Sequence, residues 1–98
     1  MALTRGVTFL TEEEIDGYFE AAGCVETEYN VQVKLTRTYE RDDYNTDCLL
    51  IVERLDKDNR AYKTASRIIE VDVLRQCYLE PKYFFLSVMG SLIEMLYK

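Results

Sequence analysis

The sequence predicts a two-layer α+β fold: helix, three-stranded antiparallel meander, helix (αβββα), with both helices on one face of the sheet. Three observations carry that reading. Residues 11–22 open with a helix-capping pattern and continue with a helical apolar stripe. From Val25 the apolar period changes to two and is interrupted by two polar turns. The densest apolar run, Pro81 to Lys98, returns to helical spacing.

The first helix is expected over about residues 12–22. Thr11 is a suitable N-cap, and Glu14 three residues on completes a capping box. Leu10 and Ile15 stand where a hydrophobic staple belongs, and Glu12, Glu13, Glu14 and Asp16 complement the positive end of the helix dipole. Ile15, Tyr18, Phe19 and Ala22 give the stripe, and Gly23 is placed to end the helix. A long strand then follows, with Val25, Thr27, Tyr29, Val31, Val33 and Leu35 on one face and polar residues on the other.

Residues 40–47 are expected to form a polar turn. Cys48 to Val52 is a continuous apolar run that suits a central strand covered on both faces. After a turn at 56–60, a third strand is expected within residues 61–73, where Ala61, Ala65, Ile69, Val71 and Val73 share parity; the first half of this stretch also fits a helix. Residues 74–80 give no clear pattern, and Pro81 suits the first turn of the closing helix. With no repeat, linker or low-complexity tract, residues 1–98 are expected to form one domain.

The closing helix carries apolar residues around roughly 220° of its circumference, well beyond the stripe of a little over 100° that a surface helix needs. Together with the all-apolar second strand, this calls for a cover that two layers do not supply. A second copy of the chain is the simplest one, so a homodimer is expected. The expected self-association residues are Phe84 and Met95 on one flank of the helix and Leu86 and Tyr97 on the other.

Composition narrows the function. The 98 residues carry a net charge of −6, with an isoelectric point of about 4.6. That weighs against direct binding to nucleic acid or to anionic membranes. The element order resembles that of double-stranded RNA-binding domains. The likeness ends at order, because the start of the last helix offers one lysine, Lys82, where such domains cluster several. Tyr83 to Tyr97 is too short to cross a bilayer, and the first residues lack the apolar core of a signal peptide. Three cysteines without CxxC spacing (Cys24, Cys48 and Cys77) fit buried thiols in a reducing compartment, so a cytoplasmic location is expected, the host cytoplasm for a viral protein.

There is no histidine, which removes the commonest general base and every Ser-His or Cys-His nucleophile. Scattered glycines make no phosphate loop. The acidic turn at 43–47 lacks the glycine and closing glutamate of a calcium loop, and the one at 56–58 puts Arg60 in the third ligand position. Glu70 and Asp72, placed on the third strand near Glu53, are the one carboxylate group with acid–base potential, and a solvated sheet face accounts for them. No cofactor, metal or catalytic residue is expected.

What remains is aromatic. Eight tyrosines stand without a tryptophan. Tyr39, Arg41, Asp42, Asp43 and Tyr44 surround the tip of the first hairpin. Tyrosine and arginine are enriched at binding hot spots because they join large contact area to a polar tip. The expected function is therefore non-enzymatic: a small acidic module that inhibits or adapts a protein partner by occupying its surface. Viruses and mobile elements use chains of this class against host machinery. The alternatives are a subunit of a larger assembly and a nucleic-acid mimic built on Glu12, Glu13, Glu14, Asp16, Glu20, Glu26 and Glu28.

Overall fold

Helix α1, Glu12–Glu28, opens the described fold of the computed structural model, which covers residues 10–37 and 47–98. Its capping box is fully formed. The Thr11 hydroxyl accepts the Glu14 amide N–H at 3.1 Å, and the Glu14 carboxylate accepts the Thr11 N–H at 2.8 Å. Leu10 is buried before the cap, and Ile15 packs on the core beyond it.

α1 runs six residues past its expected end at residue 22. Tyr18, Ala21, Ala22 and Val25 form one continuous buried stripe, so core packing carries the helix through Gly23, and the Thr27 hydroxyl returns to the Gly23 carbonyl at 2.7 Å. The strand expected from Val25 therefore begins at Val31. Val25, Thr27 and Tyr29 share parity with the strand but belong to the helix and its C-cap.

The sheet has the order β1-β2-β3, with β1 at Val31–Arg37, β2 at Cys48–Leu55 and β3 at Ala61–Ile69, antiparallel throughout. Val33 faces Val52, and Val52 faces Ala65, which sets one apolar face of Val31, Val33, Leu35, Cys48, Leu50, Val52, Ala65 and Ile69. β2 alternates between buried and half-buried residues where cover on both faces was expected. Leu49 and Ile51 share the opposite face with Lys34 and Glu53, which form an ion pair at 2.8 Å.

Beyond Ile69 the strand periodicity of Val71 and Val73 gives way to a short helix α2, Val71–Gln76. Val71 and Leu74, three apart, are buried, whereas Val73 is exposed. Burial of this i, i+3 pair overrides the β-propensity of the two valines. Helix α3, Pro81–Leu96, starts with proline in its first turn as expected.

Both long helices lie on the Leu50 face, α1 over β1 and α3 over β2 and β3, as two layers. α3 meets the sheet and α1 together. That contact explains why Phe85, Val88, Met89, Leu92, Ile93 and Leu96 are all buried. Tyr18 of α1 packs edge-on against Phe85 at 5.5 Å between ring centres. Burial of the Tyr18 phenol, with the charge of Glu26 nearby, pushes its pKa well above the usual value. The helices approach closely at Gly17, where an added Cβ would lie 2.7 Å from the Lys82 amide nitrogen.

Glu14 also ties α2 to α1. The Arg75 guanidinium donates to both its carboxylate oxygens, at 3.0 and 3.1 Å. Burial acts to raise the Glu14 pKa, but the bonds from Arg75 and Thr11 outweigh it and hold the carboxyl below its ordinary value.

Candidate protein-interaction surface

The hairpin joining β2 to β3 builds one end of the molecule. Asp56 folds the turn, its Oδ1 accepting the N–H groups of Asp58 at 2.8 Å and Arg60 at 2.9 Å. Asn59 takes φ 62°, a left-handed conformation that asparagine tolerates. Leaving the turn, the ladder pairs Leu55 with Ala61 but Arg54 with Lys63. Tyr62 is therefore the extra residue of a β-bulge, a feature that re-aims a side chain.

The bulge matters because of Arg54. This residue follows Cys48, Leu50 and Val52 on the helix-covered face of β2, at the point where the face reaches the helix ends. Its guanidinium carbon lies 3.8 Å from the centre of the Tyr97 ring and 5.4 Å from that of Tyr62. Its Nη1 donates to the Leu96 carbonyl at 3.0 Å. The last turns of α1 and α3 contain no basic residue, so Arg54 supplies the cation that the C-terminus of α3 favours.

Tyr29, the C-cap of α1, completes the group, 6.2 Å from Tyr97 between ring centres. Tyr29, Tyr62 and Tyr97 remain 39%, 51% and 42% exposed, so three rings are held in place yet open to a partner. Asn30 donates to the Leu55 carbonyl at 3.0 Å, which fixes the hairpin against the end of α1. Asn30, Arg54, Leu55, Asp56, Lys57, Tyr62 and Tyr97 line an open cleft of about 490 Å³. Such a surface offers stacking faces, one delocalised cation and phenol hydroxyls. It can hold a protein segment by aromatic and charge-assisted contacts.

The expected site residues fall in different places. Tyr39, Arg41, Asp42, Asp43 and Tyr44 lie outside the described residues. Of the four self-association residues, Phe84 and Leu86 are half-buried against the core, Met95 is 61% exposed, and Tyr97 joins the Arg54 cluster. Glu70 stands at the N-cap position of α2, without a capping bond from its side chain, and Asp72 lies in the first turn. The expected carboxylate grouping is not formed: Ile69 pairs with Cys48 while Glu53 pairs with Thr64, which puts Glu70 and Glu53 toward opposite ends of β2.

Glu14 is drawn into the Arg75 pair, while Glu12, Glu13, Asp16 and Glu20 remain exposed. Cys48 is buried, but Cys77 is half-buried and Cys24 exposed, the latter because α1 continues past Gly23 and presents it to solvent. Among the described residues, no three His, Cys, Asp or Glu side chains gather as a metal site, and no helix is long and apolar enough to cross a membrane.

Sequence periodicity missed the Arg54 cluster, although one signal was present. An arginine continuing the buried parity of an apolar strand needs a partner for its charge.

Fold and surface define a small two-layer α+β module with a tyrosine–arginine end. Comparison with known protein families, with characterised proteins and with solved structures gave no match.

Proposed function

We propose that this chain is a non-enzymatic protein-interaction module that inhibits or adapts a partner protein by occupying part of its surface. The observation that supports the reading is the group of three exposed tyrosines held around Arg54. Side chains fixed before binding lose less conformational entropy on binding, and tyrosine and arginine dominate interaction hot spots. The proposed setting is the cytoplasm, of a host cell if the protein is viral.

The test is affinity capture from cells of the source, or of its host, with the wild type and two variants, Y62A and R54K. Lysine keeps the charge but loses the planar stack. Each variant is expected to weaken a captured partner by about 30-fold, the loss of a hot spot of ~2 kcal/mol, while keeping a native circular dichroism spectrum. Equal capture by wild type and variants defeats the proposal. A second reading, homodimerisation through Met95 and Tyr97, is supported by the 61% exposure of Met95, a large apolar side chain near the end of α3.

A further inference from the structure

The two outer strands of the sheet are finished differently. On β1, the Asn30 carbonyl accepts the Leu55 N–H, so the backbone groups of Asn30, Gln32, Lys34 and Thr36 bond toward β2, while those of Val31, Val33 and Leu35 face the outer edge. The outward Val33 N–H is taken by the Glu26 carboxylate at 2.9 Å. α1 thus blunts that edge.

On β3 the same alternation turns Ala65, Arg67 and Ile69 toward β2 and leaves Thr64, Ser66 and Ile68 facing outward. Among the described residues, no side chain bonds to those outward groups. The strand is nine residues long and contains no proline, and Ile68 is 57% exposed. Charge distinguishes this edge from the rest of the molecule. Between Asn59 and Ile69 the chain holds Arg60, Lys63 and Arg67 and no carboxylate, although the whole chain carries −6. These three cations form no ion pair among the described residues. Beside the strand's end, a groove of about 340 Å³ is lined by Ile68, Val73, Phe84 and Val88, with Arg67 and the acidic Glu70 also on its wall.

We infer that β3 takes up an extended acidic segment of a partner protein as a fourth strand. The segment's carboxylates meet Lys63 and Arg67, which lie on one face about 13 Å apart at ~3.3 Å per residue, and an apolar side chain enters the Ile68–Phe84 groove. Charge favours this occupant over a second copy, because any β3–β3 pairing brings the Arg60, Lys63 and Arg67 cations of two chains to one edge. Antiparallel β3–β3 pairing centred on Ala65 sets Lys63 against Arg67 of the other chain, and like charges directly opposite destabilise a ladder. The inference rests on the proposed interaction function and extends its surface from Tyr62 along the strand.

The experiment titrates the full chain with the peptide (Val-Glu)4, followed by amide NMR. Saturable shifts centred on Thr64, Ser66 and Ile68 are expected. Binding should be at least tenfold weaker for (Val-Lys)4 and absent for (Val-Glu)4 N-methylated at alternate residues. S66P removes an outward N–H and should also abolish binding; the N-methylated peptide tests the same bond on the wild type if that variant does not fold. The K63E/R67E variant should prefer (Val-Lys)4. Equal binding of all three peptides, or shifts confined to other elements, overturns strand addition. If the peptides fail while Y62A still loses its captured partner, strand addition falls and the interaction function stands; if the peptides bind and Y62A captures normally, strand addition stands and the Tyr62–Arg54 end falls as the contact surface.

Discussion

Replacing Gly23 with alanine separates two accounts of where α1 ends. If the helix stopped near residue 22 with Gly23 as its terminal residue, alanine there would be strained, because that position commonly takes a left-handed conformation. In the structure Gly23 is inside the helix, and an added Cβ meets nothing within 4 Å. G23A should therefore stabilise the protein by about 0.5 to 1 kcal/mol, the helix propensity difference between glycine and alanine.

Gly17, in the same helix, supplies the control. Its added Cβ would lie 2.7 Å from the Lys82 nitrogen and 2.8 Å from the Pro81 Cβ, so backbone and ring would have to shift. Overpacking of this kind costs about 1 to 3 kcal/mol. Because propensity is common to both exchanges, the difference between the variants isolates the contact. At ~4 to 8 °C per kcal/mol for a domain of this size, G17A should melt about 4 to 24 °C below G23A. Thermal unfolding followed by circular dichroism at matched concentration is the assay. A melting temperature for G23A below that of the wild type refutes the continuous helix, and equal melting of the two variants refutes the close approach of α1 and α3.

Three further outcomes follow from the core, from Glu14 and from Met95. L50A empties a fully buried site on the central strand and should cost about 2 to 5 kcal/mol by denaturant unfolding. The folded Glu14 carboxyl titrates below its ordinary value of 4.5, so its contribution is complete above that value and is lost as pH falls through the lower folded pKa; E14Q should flatten the acid limb of stability against pH, and an unchanged limb argues against the Arg75 pair. M95D changes an exposed side chain and should leave melting within about 0.5 kcal/mol of wild type. Light scattering on the same variant then reports whether Met95 mediates self-association.

Much of the fold was legible because its signals are local. The capping box at Thr11 and Glu14, the turn at Asp56–Arg60 and the proline opening α3 are each decided within a few residues. The boundaries that moved are those set by distant packing. Val25 continues α1 and Val71 begins α2 because each buries a helical neighbour in the shared core, although both also fit strand parity. The tyrosine–arginine end was less accessible still. Tyr29, Arg54, Tyr62 and Tyr97 are spread over 69 positions, and a one-residue bulge decides whether Tyr62 reaches the group. The sequence reading followed tyrosine and arginine to Tyr39–Tyr44, which lie outside the described residues, whereas the Arg54 cluster is assembled from four elements by the fold.

The measurement that tests the central claim most directly is hydrogen–deuterium exchange on the chain with and without its captured partner. The account predicts protection on binding concentrated in residues 54–68 and at the end of α3 around Tyr97. Protection confined to residues 39–44 or to the acidic face of α1, with residues 54–68 unchanged, would contradict it.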